Sequence, residues 1–386
     1  MNFEQLPDKM KTILKKADEE MEKVIPWIAN LYDPQTGGFY FAMSGKNDPN
    51  MEPTIGTTAW GIKILKEYTD IVGDMPENIR QKMIQFFHDR QDPETGFYID
   101  KQGPVDDRDK ARNQGAGLQA LTYLNANPIY PHPSETEKKE DTSLSGTAAG
   151  MPAYMESVDT YMNWVESLGW TTSTWADGDK VQASQNFVKA LPKEKRTEYV
   201  TALLNWFDAH QNPETGFWAE NNDFNAVSGA FKIAWVYLMW NRALPNIDKI
   251  IDSTIQCYRT YEADKPFYVR NPLTLFNQIA GYSPELRKKI QDVVLENIDL
   301  MMASFGKNQC PDGGYSAWYQ KSGTTYHGIV TSHGLFEGDT NATLMILIAR
   351  EELYNIFEVT APPLKADHFW NWITGKEEMP SPYTVG

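Results

Sequence analysis

Apolar residues fall on one stripe through residues 8–31, where Met10, Ile13, Leu14, Ala17, Met21, Val24, Ile25 and Ile28 keep a spacing close to 3.6. That period predicts an amphipathic helix. The same pattern marks 76–90, 192–210 and 284–305, and Pro76, Pro192 and Ser283-Pro284-Glu285 supply helix-start signals. A second kind of segment alternates with these. Residues 54–65, 113–124, 226–239 and 340–349 are rich in Gly, Ala, Ser and Thr and carry few charges, which predicts helices buried nearly all round. Two less regular stretches, 181–188 and 272–280, complete the series. Outer helices are thus expected to start near 8, 76, 153, 192, 246 and 284, and inner helices near 54, 113, 180, 226, 272 and 340.

Between the two kinds lies a recurring turn. Gln91-Asp92-Pro93-Glu94-Thr95-Gly96-Phe97-Tyr98 is echoed by Gln211-Asn212-Pro213-Glu214-Thr215-Gly216-Phe217-Trp218. Asp33-Pro34-Gln35-Thr36-Gly37-Gly38-Phe39-Tyr40 is a third copy, and Gln309-Cys310-Pro311-Asp312-Gly313-Gly314-Tyr315 a looser one. Proline pushes the residue before it out of the helical region, and glycine supplies the positive φ that closes the turn. A repeat of about 60 residues turns 386 residues into one unit rather than two or three domains. The expected fold is all-α, six hairpins closed as an (α/α)6 toroid over 1–386, with an open α-solenoid as the alternative. Residues 127–150, with Pro128, Pro131, Pro133 and a run of charge, read as a mobile surface loop or a lid. The tail, 361–386, carries Phe369-Trp370-Asn371-Trp372-Ile373 and is expected to seal the outer ring.

Composition narrows the partners. A net charge of −16 repels phosphate backbones and anionic lipid, which argues against nucleic acid and membrane surfaces. Cys257 and Cys310 permit neither a disulfide framework nor a CxxC zinc site. The first residues lack a signal-peptide core, and no stretch approaches a membrane span. A cytoplasmic location is expected, with homo-oligomer formation left open.

The Gln…Gly-aromatic turns resemble those of the terpenoid cyclase and protein prenyltransferase superfamily, and the same hairpin ring is found in six-hairpin glycosidases and several polysaccharide lyases. The resemblance spans most of the chain and implies the fold more than the activity. Its chemistry-bearing motifs do not carry over. The acid motif Asp-x-Asp-Asp is absent, and neither cysteine has an Asp two residues before it, so no catalytic zinc, other metal or cofactor is expected. Val105-Asp106-Asp107-Arg108-Asp109 approaches a diphosphate-binding cluster but reads as a solvated turn.

In such a ring the loops before the inner helices gather at one mouth. There, 325–341 holds Tyr326, His327, His333, Glu337 and Asp339 in a glycine-rich loop. Asp339 also stands where an N-cap belongs. Trp175 beside Asp177 and Asp179 pairs an aromatic face with carboxylates, as a sugar site does, although both acids suit capping too. Arg112-Asn113 and Arg270-Asn271 can neutralise a uronate carboxylate, and Tyr326 or His327 can then abstract the neighbouring proton. Asp223 opens the fourth inner helix, as a cap or as a partner for sugar hydroxyls. Trp218 and Trp318, near loops, are candidates for ligand stacking. The expected catalytic set is therefore Asp177, Asp179, Glu337, Asp339, His327 and His333. The expected substrate contacts are Trp175, Arg112, Asn113, Asp223, Arg270, Tyr326, Trp218 and Trp318. Together they point to a carbohydrate-active enzyme that cleaves glycosidic bonds of a saccharide substrate, with hydrolysis ahead of β-elimination. A terpenoid or prenyl-lipid enzyme and a non-catalytic glycan-binding ring are the alternatives.

Overall fold

The computed structural model describes residues 3–102, 107–131 and 152–381. The chain is mostly helical. In order, the helices are α1 (Asp8–Met21), α2 (Val24–Leu31), α3 (Met43–Lys46), α4 (Ile55–Tyr68), α5 (Glu77–His88), α6 (Asp107–Tyr123), α7 (Val158–Glu166), α8 (Trp170–Ala190), α9 (Lys193–His210), α10 (Phe224–Met239), α11 (Ile247–Thr260), α12 (Pro266–Ala280), α13 (Pro284–Met302), α14 (Thr340–Ile356) and α15 (Phe369–Thr374). A hairpin of β1 (Thr325–Tyr326) and β2 (Ile329–Val330) precedes α14.

The low-charge helices pack on one another in the order α6, α4, α14, α12, α10, α8. The amphipathic α1 packs on α14, which ties the start of the chain to its last inner helix. Of the 127–150 loop, 132–150 lies outside the described residues. No helix among the described residues is long and apolar enough to cross a membrane.

The recurring turn explains how an amphipathic helix is joined to the low-charge helix that follows it. After α5, the Gly96 N–H donates to the Asp92 carbonyl and the Asp92 N–H to the Phe97 carbonyl, both at 2.8 Å. After α9, Gly216 and Asn212 repeat the pair at 2.7 Å. Gly96 and Gly216 sit at φ +73° and +74°, a conformation that costs other residues steric strain. The Asp92 and Asn212 side chains accept the next free N–H groups of each turn. The aromatic that follows docks on an inner helix. Phe39 donates its N–H to the Thr58 hydroxyl at 3.1 Å, Tyr98 to Gln114 Oε1 at 3.2 Å, and Tyr315 to the Thr343 hydroxyl at 2.9 Å. The polar residues of the inner helices thus satisfy buried backbone donors. Their small residues admit the rings: a Cβ on Gly117 would come within 2.9 Å of the Tyr98 ring.

Three helices begin earlier than the hydrophobic pattern marks, and this moves candidate residues. Helix α12 starts at Pro266, and Pro272 lies inside it. Helix α8 starts at Trp170 and kinks at Ser173, so 174–179 is helix rather than a loop before one. Helix α6 already includes Arg112 in its second turn. Charged residues inside these first turns masked the continuity. The run 8–31 divides into α1 and α2, with Pro26 in the first turn of α2, where a missing N–H costs nothing. At the other end, α15 packs on α2, Phe369 is fully buried, and Trp370 Nε1 donates to the Ile71 carbonyl at 2.8 Å.

Candidate functional site

One charged cluster joins α6, α8 and α10 to the tip of the β-hairpin, with Arg270 of α12 near enough for its charge to be felt. Arg112 on α6 donates to Asp179 on α8 at 2.9 Å and lies 3.2 Å from His327 Nε2. Lys232 on α10 donates to the other oxygen of Asp179. On the far side of His327, Asp109 Oδ1 lies 3.8 Å from Nδ1. Lys232 also feels the charges of Arg112 and Arg270. Burial pulls its ammonium below the ordinary lysine value, these cations pull in the same direction, and Asp179 opposes them.

Local structure sets each of these groups. Trp175 and Asp179 are four residues apart on α8, so they share a face. Trp175 is 48% exposed, and its ring centroid is 5.4 Å from Lys232 Nζ. Gly178 and Thr174 lie against α10, through Lys232 and Gly229. His327 and Gly328 form the two-residue tip of the hairpin, at φ +48° and +76°. Positive φ at both centres is the geometry of a type I′ turn, which matches strand twist. Histidine tolerates it better than most residues, yet such strain at a non-glycine position is a functional hint. The imidazole stacks on Tyr326, 3.8 Å between centroids, and Tyr326 in turn meets the edge of Trp60. Arg112 has only donors, so Nε2 of His327 is the acceptor, and this assigns the ring proton to Nδ1 on the Asp109 side. Burial raises the Tyr326 phenol above its ordinary pKa, so it stays protonated beneath the histidine.

Arg270 on α12 differs from the other cations. Among the described residues it forms no ion pair; Nη1 donates to Asn271 Oδ1 at 3.0 Å, while Nε is buried without a hydrogen-bond partner. Its guanidinium lies over the Phe231 ring at 4.9 Å. Burial lowers its pKa, opposed by the charge of Glu352 and by Tyr68.

The remaining candidates are occupied elsewhere. Asp339 is fully buried and caps α14, accepting from Ala342 N–H at 2.8 Å and from Ala317 and Gly323 N–H at 3.0 Å each. Burial pushes it up to about 6, and Glu337 adds to the rise against those three donors. Glu337 accepts from the Ser44 N–H at 2.7 Å and from the hydroxyls of Ser44 and Ser322. Both carboxylates therefore pin the loop that carries His327. Asp177 is buried against Ser173 and Lys180 and does not share the Asp179 face. Asn113 is buried and donates to Asp100. Asp223 caps α10 through the N–H groups of Asn225 and Ala226. Trp218 is 4% exposed with its indole N–H on the Phe207 carbonyl. His333 lies on the surface, 3.0 Å from Asp48. Trp318 is exposed on the loop before the hairpin. No described contact joins Asp177 or Asp179 to Glu337 or Asp339.

Sequence reading passed over Lys232, Phe231 and the role of Asp109. Lys232 had a legible signal, as the only charged residue between 226 and 239. Of the acidic run at 105–109, residues 105 and 106 lie outside the described residues.

Compared with known families, curated proteins and solved structures, the chain matches none.

Proposed function

We propose that the six helical pairs close into an (α/α)6 toroid and that its mouth cleaves an acidic saccharide by β-elimination. The ring reading is supported by the packing order of the inner helices and by the contact of α1 and α4 with α14. Between α6 and α8, the Arg112–Asp179 pair spans the remaining gap.

The observation that carries the activity is Arg270, a partly buried guanidinium with no described ion pair, whose charge is felt at Lys232. A buried cation that Glu352 offsets only through its charge, without a described ion pair, is costly. A uronate carboxylate would satisfy it, drawn to the positive potential these cations gather in a chain of net charge −16. With that carboxylate neutralised, the hydrogen on the adjacent ring carbon becomes acidic. As Arg112 turns from His327 to the substrate carboxylate, Nε2 is freed to take that proton, and the negative charge of Asp109 on the Nδ1 side favours the imidazolium that forms. The electron pair forms the ring double bond, the C4–O bond breaks, and the departing oxygen takes a proton from the imidazolium or from water. Trp175 offers a face for a pyranose ring. Hydrolysis by Asp109 and Asp179, the two acids flanking the Arg112–His327 pair, is the second reading.

The test is incubation with a panel of uronate-containing and neutral polysaccharides, following ultraviolet absorbance and reducing ends together. Elimination produces both signals on uronate chains only. Reducing ends without absorbance favour hydrolysis, and neither signal on any uronate chain removes both readings.

A further inference from the structure

The loop that presents His327 also exposes an apolar surface at its base. Trp318, Tyr319, Leu335 and Phe336 are each at least 46% exposed. Two backbone pairings bring them together. Trp318 and Lys321 exchange N–H···O bonds at 3.0 Å around a tight turn, and the Ser322 N–H donates to the Leu335 carbonyl at 2.9 Å. Lys321 is exposed, has no described ion pair, and lies alongside Gly334, whose added Cβ would sit 3.3 Å from its Cε. Lys307 approaches the Tyr319 ring at 5.6 Å while it pairs with Glu262.

The backbone beneath this surface is tied down by buried carboxylates. Asp339 fixes both ends of the 317–323 segment through Ala317 and Gly323, and Glu337 holds Ser322 and Ser44. Clustered exposed apolar residues mark a binding surface, and a backbone tied down in advance lowers the entropy lost when it engages a ligand. Aromatic faces beside a lysine with no described ion pair, on an otherwise acidic protein, complement a chain that is apolar on its sugar faces and negative at its carboxylates.

We infer that Trp318, Tyr319, Lys321 and Phe336 form an outer subsite for an extended acidic polysaccharide. The substrate is then a polymer rather than a disaccharide. This rests on the activity proposed above. One loop serves both ends of the task, the base at its tip and the platform at its root.

The double variant Lys321→Gln, Phe336→Ser changes only exposed side chains. It is compared with wild type on a polyuronate, on the shortest uronate oligomer cleaved, and by retardation in a native gel containing the polyuronate. The expected result is a KM raised about tenfold on the polymer, little change on the short oligomer, and lost retardation. Equal kinetics on both substrates with retardation intact overturns the subsite while leaving the activity standing. A wild-type protein that cleaves nothing removes the activity. In that case, retardation lost only in the variant still supports a polyuronate-binding patch, and no retardation of wild type overturns it. A patch that instead joins two copies of the chain is revealed by a wild-type dimer that the variant dissociates, with retardation unchanged, and this too overturns the subsite.

Discussion

Replacing Arg270 with Met is expected to make the fold slightly more stable while removing saccharide binding. The substitution keeps an unbranched side chain on α12 and its packing on Phe231, and it deletes a guanidinium whose Nε is buried and unpartnered. An unsatisfied buried donor costs about 1–3 kcal/mol. Against that gain stand the cation–π contact at 4.9 Å, worth about 0.5–1 kcal/mol at a partly exposed position, and one hydrogen bond to Asn271, worth about 1 kcal/mol. Glu352 also loses a favourable neighbour. Relief from desolvating the charge adds to the gain, so the net is expected near zero to about 1 kcal/mol in favour of Arg270→Met. Urea unfolding at neutral pH measures it, with an unchanged m-value as the check on two-state behaviour. Binding of a uronate oligomer by calorimetry should weaken by about a hundredfold or more, the scale of losing one charge-assisted partner. A loss of more than about 2 kcal/mol of stability would refute the reasoning. Arg270 would then be a structural cation paired with Glu352, with no need of a ligand.

Other expectations follow from particular contacts. His327→Gln should lower kcat by at least about a hundredfold on a cleaved uronate chain with KM little changed, measured by initial rates; an equal loss in Glu337→Gln would assign the effect to loop geometry instead. Gly216→Ala should cost about 1–3 kcal/mol in thermal or urea unfolding, because φ is +74° and the new Cβ would meet Ile250 at 2.8 Å. Asp339 and Asp100 are both pushed by burial to about 6. Because these carboxyls bind protons more tightly folded than unfolded, their contribution to stability grows as pH falls from about 7 toward 4. In Asp339→Ala, which also loses its cap, that part of the pH slope should be missing from unfolding curves at pH 7 and 5.

Much of the helical pattern could be read from the chain because each repeat must solve the same packing problem. Gly96 and Gly216 announce the turn, Tyr98 must lie on a small residue, and both facts leave marks in sequence. The starts of α8 and α12 were less legible, since Asp177, Asp179 and Arg270 look like loop residues until Ser173 and Lys180 within α8, and Arg112, Lys232 and Phe231 on neighbouring helices, meet them. For the candidate site, Arg112, Asp179, His327, Tyr326 and Trp175 stood out in the sequence as polar or aromatic groups of loops and helix starts, and the structure brings them close to one another. What sequence could not tell was which carboxylates were already engaged. Asp339 and Glu337 hold backbone N–H groups that become donors in need only once the 316–339 loop is folded. Lys232 was visible as a lone charge, but its meaning depends on Asp179, fifty-three residues away.

The central claim is that bonds are cleaved by elimination, and the isotopic composition of the product tests it most directly. A uronate oligosaccharide is cleaved in water enriched in oxygen-18, and the fragments are weighed by mass spectrometry. Elimination predicts a new non-reducing end lighter than its hydrolytic counterpart by one water, with no oxygen-18 incorporated during cleavage. A saturated fragment pair carrying oxygen-18 at the newly formed end would contradict the account and show hydrolysis instead.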